Sequence, residues 1–516
     1  MLALPFGLTG CASLPVDMPR EESHTLKDSA DTRLGRAMAP LAAAHPGQSG
    51  AYPLARGADA FVARLVLAEG AERSLDVQYY IWRNDTTGRI LLDHLIRAAD
   101  RGVRVRLLID DLGTAADDTH LLLIDQHPNI QVRLFNPIAA RRARMLGTVA
   151  EFGRVNRRMH NKSLTADAQA TIVGGRNIAD EYFEAKSDLD FADLDVLAVG
   201  PVVQQVSDSF DLYWNSPAAI PISALVSKRM TDVEVSRSRA ALADYGESQR
   251  ASTYAEALRN STLAKELQAG ELTFFWGEAE ALYDDPAKIT QAPEDQTTHL
   301  LPRLGQITNS TQSELLIVSP YFVPGKVGVE YFQKMRARGV HVVVLTNSLA
   351  ATDVAAVHAG YRRYRRALLE SGVEIYEVKP TARRPDDDAK RAGSRSGLAG
   401  SSRASLHAKV FTFDRRALFV GSLNLDPRSV ALNTEIGLVF ASPELASQVA
   451  TEAMNAVAGS TYRLELVPPG QATSRRIEWV EQENGQELRH SNEPGASVWR
   501  RFQVWLMSLL PIESQL

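Results

Sequence analysis

Two short stretches decide the fold of this 516-residue chain: Met159–Asp167, "MHNKSLTAD", and Leu406–Asp414, "LHAKVFTFD". Each has a histidine, a lysine two residues later and an aspartate five residues after the lysine. In each copy a glycine follows the histidine by fourteen residues, and an asparagine comes three residues after that glycine. A pattern of this length does not recur by accident. The repeat indicates that the chain contains the same unit twice.

The sequence around the motifs repeats as well. "ADRGVRVRLLID" around Gly102 matches "RARGVHVVVLTN" around Gly339, 237 residues later, while the two motif histidines are 247 residues apart. Each copy has helical spacing of apolar residues, then Arg-Gly, then an apolar β-rich run. We therefore predict an α/β protein with two duplicated halves, each a mostly parallel or mixed sheet covered by helices.

Changes in composition divide the chain into five segments. We predict a leader and tether at 1–50, a first half at 51–215, a helical connector at 216–305, a second half at 306–465, and a C-terminal hairpin with an amphipathic tail at 466–516. Residues 381–403 are rich in Gly, Ser, Arg and Asp, so we expect a mobile loop there. It is either a tolerated insertion or a cover over the second motif.

Charge and cysteine content limit the function classes. The formal net charge is −5 and the isoelectric point is near 6.2, which argues against a basic nucleic-acid-binding surface. The one cysteine, Cys11, rules out a disulfide within the chain and a cysteine-based metal cluster. Cys11 ends the stretch "LTGC", which resembles a bacterial lipobox, although no Lys or Arg precedes it. The alternative is an ordinary cysteine near a terminus.

The motif spacing places chemical groups together. On a strand, residues two apart face the same side, so each histidine and its lysine can reach one ligand. The adjoining hairpin strand ends in glycine and brings the asparagine alongside. Lysine and asparagine suit the oxygens of a phosphate, and histidine suits nucleophilic attack or proton transfer. The candidate catalytic residues are His160, Lys162, Asn177, His407, Lys409 and Asn424, and the backbone-approach positions are Gly174, Gly175, Gly421 and Ser422.

Acidic residues divide into two expected roles. Asp167 and Asp414 come at the far end of each motif strand, where we expect a structural, hydrogen-bonding role. A later acid is a better partner to orient each histidine. We expect Asp193 to pair with His160, with Asp195 as a competitor, and Glu435 to pair with His407.

These motifs resemble those of the phospholipase D superfamily, over most of residues 55–516. Stretches such as "DVQYYIW", "SPYFVPG" and "GSLNLDPRSVALNTEIGLV" are similar to bacterial cardiolipin synthases of the C type. The resemblance implies two α/β sandwich halves about a pseudo-twofold axis, with the active site at their interface. It implies that one histidine forms a covalent phosphohistidine, with His160 favoured by analogy. The other histidine would act as general acid and then as general base. It implies no cofactor and no metal.

The resemblance also implies substrates and a location. The acceptor would be phosphatidylglycerol, and the donor a second phosphatidylglycerol or phosphatidylethanolamine. A peripheral or lipid-anchored place in the bacterial cell envelope, facing the periplasm, would follow, with no nucleic acid as partner. The alternatives are a hydrolase that releases phosphatidic acid, a nuclease of the same superfamily, and a membrane scaffold with an inactive site.

Two segments could contact a membrane. Residues 497–510, "SVWRRFQVWLMSLL", place Val498, Phe502, Trp505 and Leu509 on one helical face, either to lie in a membrane interface or to close a groove on the core. The arginines at 141, 142, 144, 154, 157 and 158 either attract anionic headgroups or form a solvated loop.

Overall fold

The computed structural model describes residues 14–15, 20–114, 118–185, 189–228, 230–380, 403–467, 476–483, 485–510 and 513–515. Cys11 and residues 381–402 of the polar loop lie outside them, so the lipobox and loop predictions stay predictions. Among the described helices, none combines the length and the apolar character needed to cross a bilayer.

The first half contains nine strands: β1 (Ser49–Leu54), β2 (Ser74–Tyr79), β3 (Arg104–Asp110), β4 (Ile130–Phe135), β5 (Ser163–Ala166), β6 (Ala170–Gly174), β7 (Leu189–Ala192), β8 (Asp195–Val199) and β9 (Ala219–Pro221). Its helices are α1 (Arg33–Ala44), α2 (Gly57–Gly70), α3 (Thr86–Asp100), α4 (Asp118–Asp125), α5 (Arg144–Ala150), α6 (Phe152–Val155) and α7 (Val202–Trp214). The following region contains α8 (Ile222–Leu225), α9 (Asp232–Gln249), α10 (Thr253–Arg259) and α11 (Thr262–Ala269).

The second half contains β10 (Phe275–Tyr283), β11 (Glu314–Val318), β12 (His341–Asn347), β13 (Glu374–Val378), β14 (Arg403–Leu406), β15 (Val410–Phe413), β16 (Ala417–Gly421), β17 (Ile436–Ala441) and β18 (Thr461–Leu466). A hairpin of β19 (Ile477–Glu483) and β20 (Gln486–His490) follows. The helices are α12 (Leu300–Asn309), α13 (Gly325–Ala337), α14 (Ala355–Arg362), α15 (Arg365–Glu370), α16 (Pro427–Ala431), α17 (Pro443–Ser460) and α18 (Val498–Ser508).

Both halves have the same strand arrangement. In the first half β2, β3 and β4 are parallel and β5, β6 and β8 run antiparallel beside them; β11, β12 and β13, with β15, β16 and β17, repeat this order in the second. Parallel neighbours need a crossover connection, which α3 and α13 supply. Their apolar faces pack on the sheet and bury Leu75 and Val77 in one half and Leu315 and Ile317 in the other. The prediction of two duplicated α/β halves is confirmed.

The two sheets join into one ladder at their centre. Strand β1 pairs antiparallel with β10, with Gly50 opposite Trp276, and the ladder runs outward from this pair through β8 on one side and β17 on the other. Equivalent strands therefore lie at equal positions on either side, as a pseudo-twofold axis between β1 and β10 requires. A buried apolar cluster that includes Val173 and Val196 with Val420 and Ile436 spans both halves.

Two segments differ from the predicted division. The stretch predicted to be a tether packs on the first half from residue 20: the Thr25 N–H donates to Asp211 at 2.8 Å, and Ser29 is fully buried. The backbone and hydroxyl of Thr25 both donate to the half-buried Asp211 carboxylate, a contact that composition alone does not reveal. The region predicted to be a helical connector contains four complete helices, α8 to α11, but also β10, whose pairing with β17 makes it part of the second sheet.

Candidate active site

Backbone hydrogen bonds between the two halves bring the two motifs together. Strand β7 of the first half pairs parallel with β14 of the second, and the His407 N–H donates to the Ala192 carbonyl at 2.8 Å. At the symmetric position the His160 N–H donates to the Thr434 carbonyl, also at 2.8 Å. Each catalytic strand thus lies beside the residue that precedes an acid of the other half.

As a result, each motif histidine pairs with an acid from the other half. The His160 Nδ1–H donates to Glu435 at 2.8 Å, and the His407 Nδ1–H donates to Asp193 at 2.7 Å. The predicted pairing within each half, Asp193 with His160 and Glu435 with His407, is wrong. The competitor Asp195 is also excluded, because its carboxylate accepts from Arg64 at 2.8 Å and from the Arg176 N–H.

Both acids are buried and ionised. Burial by itself would raise the pKa of Asp193, but His407, through its hydrogen bond, and Lys409, through its charge, outweigh burial and lower that pKa to about 2. The pKa of Glu435 is likewise lowered, against burial, by His160 and Lys162. Glu435 also accepts from the Ser429 hydroxyl at 2.7 Å. An ionised carboxylate on Nδ1 holds each imidazole in one orientation and one tautomer.

Both histidines are neutral in the free protein. Burial lowers the pKa of His160 to about 4, although Glu435 opposes that shift, and burial also lowers the pKa of His407. A neutral ring that donates from Nδ1 keeps a lone pair on Nε2. The arrangement therefore presents two imidazole Nε2 atoms ready to accept a proton or attack an electrophile.

The two lysines lie against their own histidines. Lys162 donates to the His160 carbonyl and Lys409 to the His407 carbonyl, each at 2.5 Å, and Lys409 Nζ also lies 3.1 Å from the His407 ring. Burial lowers the pKa of Lys162 to about 7 and that of Lys409 to about 8. Two buried ammonium groups in one site favour an anionic ligand such as a phosphodiester.

The two asparagines differ in their surroundings. Asn177 Oδ1 accepts from the Ile81 N–H at 3.1 Å, and its Nδ2 donates to the Tyr182 hydroxyl at 3.0 Å, so its amide largely holds the fold. Within the described part of the chain, Asn424 Oδ1 is a buried acceptor without a partner. Of the two, Asn424 has more of its amide available to a substrate.

The glycines act as expected. A Cβ on Gly175 would lie 2.2 Å from the Asp193 carboxylate, and one on Gly421 would lie 2.4 Å from the Ile436 carbonyl. Gly174 is equally crowded, since its Cβ would lie 2.1 Å from Asp195. Ser422 bonds through its hydroxyl to the Ile436 backbone, at 3.0 and 3.2 Å. These residues let the acid-bearing strands approach the motifs closely.

The motif aspartates hold backbone, as predicted. Asp167 accepts from three consecutive N–H groups, at residues 72 to 74, with a shortest distance of 2.7 Å. Asp414 accepts from the N–H groups of residues 312 to 314, with a shortest distance of 2.6 Å. Both have positive φ, 51° and 53°, at the turn after their strands. Their role is to tie each motif hairpin to the neighbouring strand.

Sequence reasoning missed the aromatic residues of the site. The Tyr80 ring meets the His160 ring edge to face at 5.1 Å between centroids, and Tyr182 meets His407 at the same distance. Tyr80 follows β2 directly and so lies at the strand end that faces the motifs, a position that could have identified it. Ser429 had no comparable signal.

The arginine run before the first motif does not form a free basic patch. Arg141 and Arg144 pair with Asp111 at 2.6 and 2.8 Å, and Arg158 pairs with the buried Asp110. Arg154 pairs with Glu151, Arg157 donates to backbone carbonyls, and the Arg142 side chain lies outside the described residues. Neither a headgroup-attracting cluster nor a solvated loop describes the five arginines whose side chains the structure describes, because four of them are paired with acids of the same half.

Comparison with known proteins agrees with this geometry. A family model described as "Cardiolipin synthase, PLD-like domain" matches residues 66–214 and 304–456, once in each half. The chain is 44% identical to cardiolipin synthase C of Escherichia coli K12 over 482 residues, which is 93% of this chain and 99% of that protein. It is 25% identical to cardiolipin synthase B of Shigella flexneri, with 72% of each chain covered.

Among solved structures, a phosphatidylserine synthase from Haemophilus influenzae Rd KW20 shares the fold, with a TM-score of 0.53 and 16% identity, covering 84% of this chain and 92% of that one. The duplicated family match, the long relative and the paired motifs lead to the same conclusion: the chain belongs to the cardiolipin synthase family of proteins with phospholipase D-like domains.

Proposed function

We propose that this protein is a phosphatidyltransferase that forms cardiolipin on a bilayer through a phosphohistidine intermediate. The observation that carries the proposal is the pair of neutral histidines, each oriented by a carboxylate of the opposite half and flanked by a buried lysine. A phosphodiester between two such histidines meets a nucleophile on one side and a proton carrier on the other.

The reaction has two displacements at phosphorus. The His160 Nε2 lone pair attacks, the bond from phosphorus to the headgroup oxygen breaks, and His407 gives its proton to that oxygen. His407 then takes the proton from an incoming hydroxyl, whose oxygen attacks phosphorus and releases His160. Lys162, Lys409 and Asn424 stabilise the oxygens that carry the negative charge. The phosphodiester anion itself raises the pKa of His407, which supplies the proton for the first step.

We infer that the acceptor is the glycerol headgroup of phosphatidylglycerol. The donor is a second phosphatidylglycerol or a phosphatidylethanolamine. The similarity to cardiolipin synthase C over nearly the whole chain supports this choice.

Two exposed apolar segments support docking on a membrane surface. Seven of the exposed large apolar side chains lie at 498–510 and four at 145–152, among nineteen in the described residues. Asn156 Nδ2 donates to Gln515 at 2.6 Å, so the chain after α18 reaches the end of α6. Apolar side chains at water-exposed positions bind well in a membrane interface. We call these two segments the docking surface.

The docking surface lies beside the site. Arg500 at the start of α18 donates to the Thr352 carbonyl, and Asn156 accepts from Arg428 of α16 at 2.8 Å. The α16 helix also carries Ser429, which bonds Glu435. With this surface in the interface, lipid headgroups lie next to the paired motifs. The proposed location is the bacterial cell envelope on its periplasmic face, with Cys11 as a lipid anchor.

Lipid mass spectrometry tests the proposed activity. The full chain is incubated with vesicles of phosphatidylglycerol, with and without phosphatidylethanolamine. Cardiolipin should form, and His160→Ala or His407→Ala should abolish it. His341→Ala, which removes an exposed histidine paired with Glu374, is the matched control and should retain activity. Phosphatidic acid without cardiolipin would instead establish a hydrolase, and full activity in either catalytic variant would overturn the mechanism.

A further inference from the structure

The last residue of β12 lies directly beside the residue that precedes the second catalytic histidine. The Asn347 side chain donates to the Leu406 carbonyl at 2.8 Å and accepts from the Leu406 N–H at 3.0 Å. Leu406 immediately precedes His407. These two hydrogen bonds fix the start of the loop 348–354 against the catalytic strand.

This loop carries an acidic group toward the site. The Tyr321 hydroxyl donates to both Asp353 oxygens, at 2.9 and 2.8 Å, and Asp353 is exposed. No cation of the described residues forms an ion pair with Asp353. Its charge nevertheless acts against the burial that lowers the Lys409 pKa, and it adds to the burial that raises the pKa of Tyr182, the tyrosine that packs on His407. A carboxylate with free acceptor positions therefore lies within electrostatic reach of the His407 side of the site.

The His160 side has no equivalent of this tyrosine. The bridges Trp82 to Ile178 and Phe322 to Leu425 are pseudo-equivalent, so the position of Tyr321 corresponds to Ile81. Near Tyr80, on the His160 side, burial raises the tyrosine pKa and charges of both signs act on it: Asp110 and Glu435 raise it, and Arg158 and Arg428 lower it. The two ends of the site thus differ: the tyrosine–aspartate pair lies on the His407 side, and an isoleucine takes the position of the tyrosine on the His160 side.

We propose that Tyr321 and Asp353 form a headgroup subsite that binds a hydrogen-bond-donating lipid headgroup at His407. The ligand chemistry is a group with N–H or O–H donors, which is found in the glycerol of phosphatidylglycerol and in the ammonium of phosphatidylethanolamine. A carboxylate that already accepts from a tyrosine is oriented to receive such donors. The proposal rests on the proposed function and assigns alcohol binding to the His407 end. It leaves His160 as the group that attacks phosphorus.

The subsite would decide what attacks the covalent intermediate. Water and the glycerol hydroxyl compete for the same phosphorus, and a site built to hydrogen-bond a hydroxyl discriminates strongly in favour of its ligand. Loss of the carboxylate should therefore redirect the intermediate to water. The product ratio of cardiolipin to phosphatidic acid reports this choice, and it does not depend on the fraction of enzyme that is folded.

The test compares Asp353→Ala with Asp244→Ala, an exposed aspartate on α9. On phosphatidylglycerol vesicles we expect Asp353→Ala to lower the ratio of cardiolipin to phosphatidic acid by about tenfold or more, and Asp244→Ala to leave it unchanged. Tyr321→Phe should shift the ratio in the same direction by a smaller factor. An unchanged ratio in Asp353→Ala, while the unaltered enzyme makes cardiolipin, would overturn the subsite. Failure of the unaltered enzyme to make cardiolipin would instead overturn the proposed function.

Asp353→Asn separates the two sources of the headgroup, because it keeps an oxygen acceptor but removes the charge. If the subsite holds glycerol hydroxyls, the ratio on phosphatidylglycerol stays close to that of the unaltered enzyme. If it holds the ammonium, use of phosphatidylethanolamine as donor falls about tenfold relative to phosphatidylglycerol. Either result supports the subsite and identifies its ligand. Equal products from Asp353→Asn, Asp353→Ala and the unaltered enzyme with both donors would overturn it.

Discussion

Glu435 lies 2.8 Å from His160, although 275 residues separate them in the chain and they belong to different halves. Asp193 has the reciprocal relationship with His407. Each half thus supplies the carboxylate that orients the other half's histidine, and neither half contains a complete acid–histidine pair.

This exchange predicts which residues are coupled in stability. In the unaltered protein Glu435→Gln should cost about 1–3 kcal/mol of unfolding free energy, because it weakens a charged, buried hydrogen bond. In the His160→Ala background the cost should be smaller by at least about 0.5 kcal/mol, since the partner is already gone. In the His407→Ala background the cost should be unchanged. Urea unfolding of the six proteins measures these differences, and equal costs in all three backgrounds would contradict the pairing.

The buried lysines predict the pH dependence of activity. The pKa of Lys162 is about 7 and that of Lys409 about 8, both lowered by burial, and each lysine must be charged to bind the phosphodiester. Because deprotonation removes that charge, kcat/KM should fall as pH rises through about 7 to 8, well below the usual lysine range.

The check is kcat/KM for cardiolipin formation between about pH 5 and pH 10. Lys162→Arg should be slower but keep its charge, so the part of the alkaline fall that Lys162 causes should disappear. An activity that stays level to about pH 9.5 in the unaltered enzyme would refute the assignment.

The motif aspartates should affect stability rather than chemistry. Asp167 is fully buried and Asp414 is partly exposed, and each accepts from three backbone N–H groups. Asp167→Asn should lower the free energy of unfolding by about 1–3 kcal/mol, and Asp414→Asn by less. The reason is that the amide NH2 group replaces an acceptor oxygen and is itself a donor, so it cannot accept from the backbone N–H groups. Asparagine tolerates the positive φ at both sites, so backbone strain does not confuse the comparison.

Thermal and urea unfolding measure these costs, and lipid turnover per folded molecule gives the control. That turnover should stay within about threefold of the unaltered enzyme. For Asp414 the pKa is lowered because its backbone hydrogen bonds outweigh burial, so its stabilising effect is present above the ordinary carboxyl pKa and is lost as pH falls. A large loss of turnover without loss of stability would place either aspartate in the chemistry instead.

The docking surface predicts a selective loss of vesicle binding. Trp499 and Trp505 of α18 are 65% and 47% exposed, and burial of a large apolar side chain contributes about 1.5–3 kcal/mol. Replacing both with alanine should weaken vesicle partitioning about tenfold or more, while turnover of a dispersed short-chain lipid stays the same.

Vesicle sedimentation measures the partitioning. Val233→Ala with Val327→Ala is the matched control, because these residues are 75% and 81% exposed but lie outside the docking surface. The binding should depend little on salt, since four of the arginines before the first motif are paired with acids of the protein. If the control pair weakens partitioning as much as the tryptophan pair, the docking surface is misplaced.

Local patterns predicted what local physics determines. The positions of His407 and Lys409 two residues apart, and the turn role of Asp414, follow from strand geometry and hydrogen bonding within one hairpin, so the sequence sufficed. The glycines at the strand ends belong to the same class. The internal repeat also predicted two similar sheets, because two segments with the same sequence pattern adopt the same fold.

Contacts between residues far apart in the chain could not be predicted from the sequence. Whether Asp193 orients His160 or His407 depends on the parallel pairing of β7 with β14, which links segments more than 200 residues apart. Because the two halves are similar in sequence, pairing of a histidine with the acid of its own half and pairing with the acid of the other half predict the same sequence pattern. The arginines failed for a related reason: charge composition does not show that Asp110 and Asp111 lie close enough to neutralise them.

The placement of each acid in the half opposite to its histidine has a consequence for biosynthesis. Ribosomes make His160 long before Glu435, so a partly completed chain has one histidine without its carboxylate and lacks the second histidine altogether. Catalytic capacity arises only after the chain has been made through Glu435 and β7 has found β14. A copy of this protein that ends before Glu435 therefore lacks part of the site that the proposed reaction uses.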